Sequence, residues 1–299
     1  MIGSPFLAGR DRYERVMDGR VDNTHDAAFT HTVRLSDPDR SIEVTAVCTP
    51  SPGYEVREAS VRVLSGAVDP GIAGDFPGLA GARMVGGFTR RLADLCGPRE
   101  GAGLLVDAGI EVARLSRQVT KMPAAAVASL APGDSQACWA LDMAGWVDLP
   151  DSCFTYSPAG RALFGTRPVS SPMVPTLYCP PPGALGVFIR KKVARLVVTG
   201  PRLHLFHSMH DNVHGFDMHY EIDLDRGTIV AADSITSRLP YAGICSEPQA
   251  RIASLRGQAV DVALRKRIQG LLGGIGGCAQ LYDLTSDLLK LLILETNSG

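Results

Sequence analysis

Five of the seven histidines in this 299-residue chain lie within sixteen positions: His204, His207, His210, His214 and His219. Imidazole changes charge near neutral pH, so such a concentration offers a general base, a proton shuttle or a set of metal ligands. Strand parity sorts the five, because alternate residues of an extended segment point to opposite faces. His207 falls with Leu203, Leu205 and Met209, and His214 with Phe216, Met218, Tyr220 and Ile222, whereas His204, His210 and His219 fall with Asp217, Glu221 and Asp223 on a polar side. A histidine on the apolar face is desolvated, which favours its neutral form and suits a base. His207 and His214 are the candidate bases by this argument, with Phe216 and Tyr220 beside them as candidate ligand-contacting aromatics. The plainer alternative is that either imidazole hydrogen-bonds a neighbouring backbone and holds the fold.

A metal centre is the rival use of the same segment, since His210, Asp211, His214, Asp217 and His219 include the ligand types of zinc and iron sites. Parity opposes it: His214 and Asp217 point to opposite faces unless the chain folds back between Asp211 and His214. Arg238 and Tyr241 follow the next extended run, where a guanidinium and a phenol hydroxyl could bind a phenol or phenolate. Asp233 and Glu247 are potential carboxylate partners, more simply read as a surface charge and a helix cap. Cys245 and Cys278 are read as buried, inert thiols. The glycine run 273–277 matches neither phosphate-binding pattern and reads as a packing turn.

The elements that must position these residues occur twice. Shifting the sequence by 176 positions places Leu79, Gly81, Arg91, Leu95, Gly97, Gly101, Leu105 and Asp107 on Leu255, Gly257, Arg267, Leu271, Gly273, Gly277, Leu281 and Asp283, eight identities in 29 positions. Ordinary composition gives roughly two. The shift also brings His31 onto His207, which makes His31 a third candidate and a partner for His207 across an internal axis. Alternating patterns predict strands at 27–35, 41–48 and 54–64 in the first copy and 202–210, 214–224 and 228–235 in the second. Helices are predicted at 79–95 and 102–119, then at 249–272 and 278–296. Strands followed by helices, rather than alternating with them, predict an α+β fold. The expected architecture is a duplicated antiparallel sheet backed by paired helices and related by a pseudo-twofold axis. Three segments result: a degenerate repeat at 1–122, a Pro/Gly/Ala-rich strap at 123–199 ending in a strand near 186–198, and the second repeat at 200–299. The strap carries Trp139, Trp146, Phe154 and Tyr156, too many aromatics for a free linker.

Composition narrows the function classes. A net charge of -1 gives no field for a polyanion, so nucleic acid is not an expected partner. No apolar stretch approaches the roughly 20 residues that cross a bilayer, so no membrane partner is expected either. Residues 1–20 lack the apolar run of a secretory leader. The seven cysteines are scattered without CxxC spacing, which reads as reduced thiols in a cytoplasmic protein. A homodimer through an exposed sheet edge is left open.

The second copy resembles a bacterial domain family of unknown function, number 2889. The likeness rests on His214, Ile222-Asp223, Pro240-Tyr241, Cys245, Leu255-x-Gly257 and the run Gly273-Gly274-Ile275-Gly276-Gly277-Cys278-x-x-Leu281. Gln280 stands where the family usually carries histidine, so no role of that histidine transfers, and the first copy has Asp69 and Ala102 in place of Cys245 and Cys278. The resemblance extends to proteins of aromatic and lignin-dimer catabolism, among them lyases that release formaldehyde from phenylcoumaran-type dimers. What it implies is a cofactor-independent lyase acting on an apolar aromatic small molecule, with His207 or His214 as base, His31 as partner, and Tyr241 with Arg238 on the phenol. A non-catalytic carrier or sensor of aromatic ligands and a metal-dependent hydrolase or oxygenase are the alternatives.

Overall fold

The structure is a computed structural model that describes residues 4–7, 9–131 and 133–292. Eight strands are present in these residues: β1 Arg12–Asp22, β2 Phe29–Ser36, β3 Ser41–Cys48, β4 Val56–Ser65, β5 Phe188–Thr199, β6 Arg202–Asp211, β7 Gly215–Asp223 and β8 Thr228–Arg238. They form one antiparallel sheet in the order β4-β3-β2-β1-β5-β6-β7-β8. The α+β expectation holds, with one continuous sheet in place of two. Read outward from the β1–β5 pair, each half adds its strands in hairpin order. That pair joins the halves over a long register, from Arg12 opposite Val197 to Val21 opposite Phe188.

One face of the sheet is covered. Helices Phe88–Cys96 and Ala102–Leu115 follow β4, and helices Leu264–Leu272 and Ala279–Leu289 follow β8. The helix-facing residues of β5 are Phe188, Arg190, Lys192, Ala194 and Leu196, all buried, so this central strand carries two cations into the interior. Gly19 on β1 marks the closest helix approach, because a Cβ there would meet Leu115 Cδ1 at 2.9 Å. The opposite face carries exposed charge, including Asp18, Arg34, Lys191, His204, His210 and His219. The parity that sorted the histidines is therefore the parity of the sheet.

The expected elements shift in three places. β1 was absent from the pattern, since its outward positions hold Arg12, Glu14, Asp18 and Arg20 and its inward ones include Arg15 and Gly19. The helices predicted at 79–95 and 249–272 are each interrupted: the first begins only at Phe88, after left-handed glycines at 81 and 87, and the second is a 3-10 stretch Glu247–Leu255 separated from Leu264–Leu272 by a turn at Gly257. The helix predicted at 278–296 is observed over Ala279–Leu289, and its last residues lie outside the described ones. The strap is ordered around the helix Ser135–Gly145, whose start is capped by Asp134 accepting from the Ala137 amide at 2.9 Å. Among the described residues no helix is long and apolar enough to cross a membrane.

Candidate active site

A cavity of about 140 Å³ lies between the strap, the β6–β7 hairpin and the start of helix Ala279–Leu289. Its apolar wall is formed by Leu149, Met173, Val213, Phe216, Leu239 and Pro248, and its polar groups include His214, Asp142 and the thiols of Cys153, Cys245 and Cys278.

His214 is placed by its own turn. The Asp211 side chain accepts from the backbone N–H of Val213 at 2.8 Å and of His214 at 2.6 Å, while the Asp211 N–H donates to the His214 carbonyl at 2.9 Å, so four residues close on themselves. The same carboxylate sits 3.1 and 3.2 Å from His214 Nδ1 and accepts from Arg190 Nε at 2.8 Å. Burial opposes its charge, but His214 and Arg190 outweigh burial and hold the Asp211 carboxyl well below the usual range. A lasting carboxylate on Nδ1 fixes the tautomer and leaves Nε2 as the free nitrogen of a ring in the cavity wall. This is the orientation required of a general base. Phe216 stacks on the imidazole at 6.2 Å between ring centres.

Asp142 forms the other polar wall. It is the sole charged residue of Ser135–Gly145, and its carboxylate accepts from Tyr156 Oη at 2.8 Å, from Tyr178 Oη at 2.8 Å and from the Tyr241 hydroxyl. No cation pairs with it among the described residues. Burial raises its carboxyl to about 6, although the three phenols favour the charged form. The thiols stay protonated at neutral pH: burial pushes Cys278 up to about 11 and Cys245 higher still, with Thr155 Oγ1 2.9 Å from the Cys245 sulfur. Gly277 is the packing turn expected of the glycine run, for a Cβ there would lie 2.0 Å from the Leu272 carbonyl oxygen.

Of the residues singled out by sequence, His214 and Phe216 line this cavity. Tyr241 stands behind it, its hydroxyl committed to Asp142. Arg238 donates to the Asp211 carbonyl and braces the turn, and neither Tyr241 nor Arg238 lines this cavity. His207 and Tyr220 lie elsewhere: His207 Nδ1 is 2.8 Å from the Leu284 carbonyl oxygen, and Tyr220 Oη is 2.6 Å from Thr285 Oγ1, both against helix Ala279–Leu289. Burial and the nearby Lys192 push the His207 imidazole down to about 3. His31 is not its partner. β1 and β5 separate β2 from β6, which is about 14 Å at the usual strand spacing. In register, His31 stands opposite Val21 and so level with Phe188, whereas His207 stands opposite Ala194, six residues or about 20 Å along the strand. His31 is buried, its ring nitrogens have no hydrogen-bond partner among the described residues, and burial lowers it to about 4. His210 and Asp217 pair with each other at 3.0 Å on the exposed face, away from the inward His214. Among the described residues no three His, Cys, Asp or Glu side chains are grouped to hold an ion.

Asp142 was not singled out by sequence reasoning, and Trp146 was noted only as one of the strap's aromatics, not as a site residue. The available signal was a single acid in an otherwise uncharged helix within a segment rich in aromatics.

Residues 200–293 match a family model described as Protein of unknown function (DUF2889). The match takes in His214, Tyr241, Cys245 and Cys278 and is a single copy; it does not extend to the N-terminal half, where a degenerate copy was expected. No curated protein and no solved structure matches the chain. The cavity is thus composite: the DUF2889-matching segment supplies the Asp211–His214 pair, and the strap outside the match supplies Asp142, Trp146 and Tyr156.

Proposed function

We propose that the chain is a cofactor-independent lyase for an aromatic small molecule, with His214 as the base. The observation that carries this reading is an imidazole held by a buried carboxylate in the wall of a mostly apolar cavity about one ring in size. A cavity of about 150 Å³ admits benzene, so one ring of a larger aromatic molecule fits inside while the remainder lies at the mouth.

A phenylcoumaran-type dimer supplies a concrete reaction. His214 Nε2 takes the proton of the primary hydroxyl; the carbon-carbon bond to that carbinol breaks and formaldehyde leaves. The released electron pair forms the new carbon-carbon double bond as the ring aryl-ether bond opens. The imidazolium then returns its proton to the phenolate, and the products are a stilbene and formaldehyde with no oxidant or reductant consumed. Asp211 stabilises the transient imidazolium, and Arg190 keeps Asp211 ionised in its buried setting.

Incubation of the purified chain with phenylcoumaran dimers carrying a primary hydroxyl should release formaldehyde. His214→Ala should lower the rate by about 10²–10⁴, the range of a positioned base, with the thermal unfolding midpoint nearly unchanged. Absence of formaldehyde from a dozen such dimers, or full activity in the variant, overturns the reading.

A further inference from the structure

Trp146 is 3 % exposed and lines the cavity, yet its indole Nε1 has no hydrogen-bond partner among the described residues. A buried N–H without an acceptor costs about 1–3 kcal/mol, so an unpartnered indole on a residue of the cavity wall asks what oxygen it serves. The Trp146 amide donates to the Asp142 carbonyl at 3.0 Å, which places the two residues one helical turn apart at the end of Ser135–Gly145. Trp146 is the extended C-cap of that helix, and both side chains line the cavity. Asp142 offers the complementary capacity. A carboxylate has about four acceptor sites; Oδ2 takes Tyr156 and Tyr241, and Oδ1 takes Tyr178 alone. One acceptor site on Oδ1 remains.

We propose that Trp146 and Asp142 are a donor-acceptor pair for one ring hydroxyl of the ligand: its oxygen accepts from Trp146 Nε1 and its hydrogen goes to Asp142 Oδ1. The pair selects by chemistry. A methoxy or carbonyl oxygen satisfies the indole but has no hydrogen for the carboxylate, an ammonium satisfies only the carboxylate, and an unsubstituted arene satisfies neither. The surrounding tyrosines already present three phenol hydroxyls to this carboxylate, and the ligand's would be the fourth. Hydroxylated arenes are thus the ligand class. The inference rests on the cavity being the ligand site, and it is independent of whether formaldehyde is released.

Three probes of nearly equal ring size separate the terms: 4-fluorophenol, 4-fluoroanisole and fluorobenzene, titrated with the full chain and followed by fluorine NMR. In the wild type, 4-fluorophenol should bind at least about tenfold more tightly than the other two, as a hydrogen bond to a charged group implies. Trp146→Phe should weaken 4-fluorophenol and 4-fluoroanisole while leaving fluorobenzene within about twofold. Asp142→Asn should weaken 4-fluorophenol alone. Equal binding of the three probes by the wild type overturns the pair without any variant, and so does 4-fluorophenol binding that is unchanged in Trp146→Phe or in Asp142→Asn. Binding of none of them overturns both the pair and the aromatic reading of the cavity. Phenol-selective binding without formaldehyde release from any dimer sustains the pair and overturns the lyase.

Discussion

Two buried polar clusters lie on the helix side of this sheet, and they are built on opposite principles. In the first, Lys192 on β5 meets Glu111 at 2.7 Å and Asp287 at 2.9 Å, Arg114 pairs with Asp283 at 3.1 Å, and Asp107 takes Arg15 at 2.7 Å and Lys290 at 2.6 Å. Four cations meet four carboxylates, and the space left among them is only about 40 Å³. In the second, Asp142 lines a cavity of about 140 Å³ and accepts from three phenols, with no cation paired to it among the described residues. The pKa directions follow. Burial opposes charge in both, but Lys192 and Arg114 hold Glu111 well below the carboxylate range, and nothing comparable holds Asp142. The first cluster has its charges answered from within, joining helices Ala102–Leu115 and Ala279–Leu289 across the sheet centre. The second keeps unspent hydrogen-bonding capacity. A carboxylate whose counter-charges are complete is architecture, whereas Asp142, in the cavity that His214 also lines, keeps the open acceptor position assigned to the proposed ligand hydroxyl.

The largest expected effect is on the first cluster. Lys192→Met removes one of the two cations that Glu111 and Asp287 share and leaves Arg114 to answer both, and removal of one partner from a buried ionic group typically costs about 3–5 kcal/mol. Urea unfolding should show that loss. Asp142→Asn, which removes a carboxylate that no cation answers, should change stability at pH 7 by no more than about 1 kcal/mol in the unfavourable direction. Comparable losses in the two variants would end the contrast.

Asp142 and the Glu111–Asp287 pair should also answer pH with opposite signs. Asp142 is raised from 3.8 to about 6, so between those values the folded chain binds more protons than the unfolded one, and its contribution to stability falls as pH rises through that window. Glu111 and Asp287 are lowered, so what they contribute is fully present above their unfolded pKa values and is lost as pH falls toward their folded ones. Denaturant midpoints measured from pH 3 to 7 on wild type and Asp142→Asn should differ in slope between about pH 4 and 6, the variant lacking the downward component. Parallel curves would mean that Asp142 titrates normally.

The sequence exposed the first cluster's framework better than the second's. The repeat that aligned Asp107 with Asp283 picked out two carboxylates that each meet a cation from the other helix, Asp283 with Arg114 and Asp107 with Lys290. Their periodicity on helices carried the signal. Strand alternation likewise separated His207 and His214 from the exposed His204, His210 and His219. Alternation could not tell which of the two inward histidines faced the cavity of about 140 Å³, because that depends on what lies above the sheet. Over His207 it is the backbone of Leu284; over His214 it is the strap. The strap is short helices and turns without long periodicity, so its contacts to β6, β7 and the segment after β8 left no pattern to read. Lys192 was passed over for a related reason: Arg190-Lys191-Lys192 looks like a solvated basic run until β5 becomes the central strand, where every second residue is inward.

The smallest expected effect tests the second cluster from outside the cavity. Tyr178 does not line the cavity, and its hydroxyl donates to Asp142 Oδ1 at 2.8 Å. Tyr178→Phe removes one of three donors that favour the ionised carboxylate, so the Asp142 pKa should rise further above about 6. In wild type, burial and the Asp142 charge hold the Tyr178 phenol far above its ordinary value, so it stays a neutral donor throughout. The stability cost should be about 0.5–1.5 kcal/mol, the usual worth of one intramolecular hydrogen bond, read as a shift in the urea midpoint. The carboxyl resonance of Asp142, followed by carbon NMR against pH, should move its midpoint upward in the variant. An unchanged midpoint would mean that Tyr156 and Tyr241 alone set the charge of Asp142, and that the free acceptor position on Oδ1 is not tuned by its neighbour.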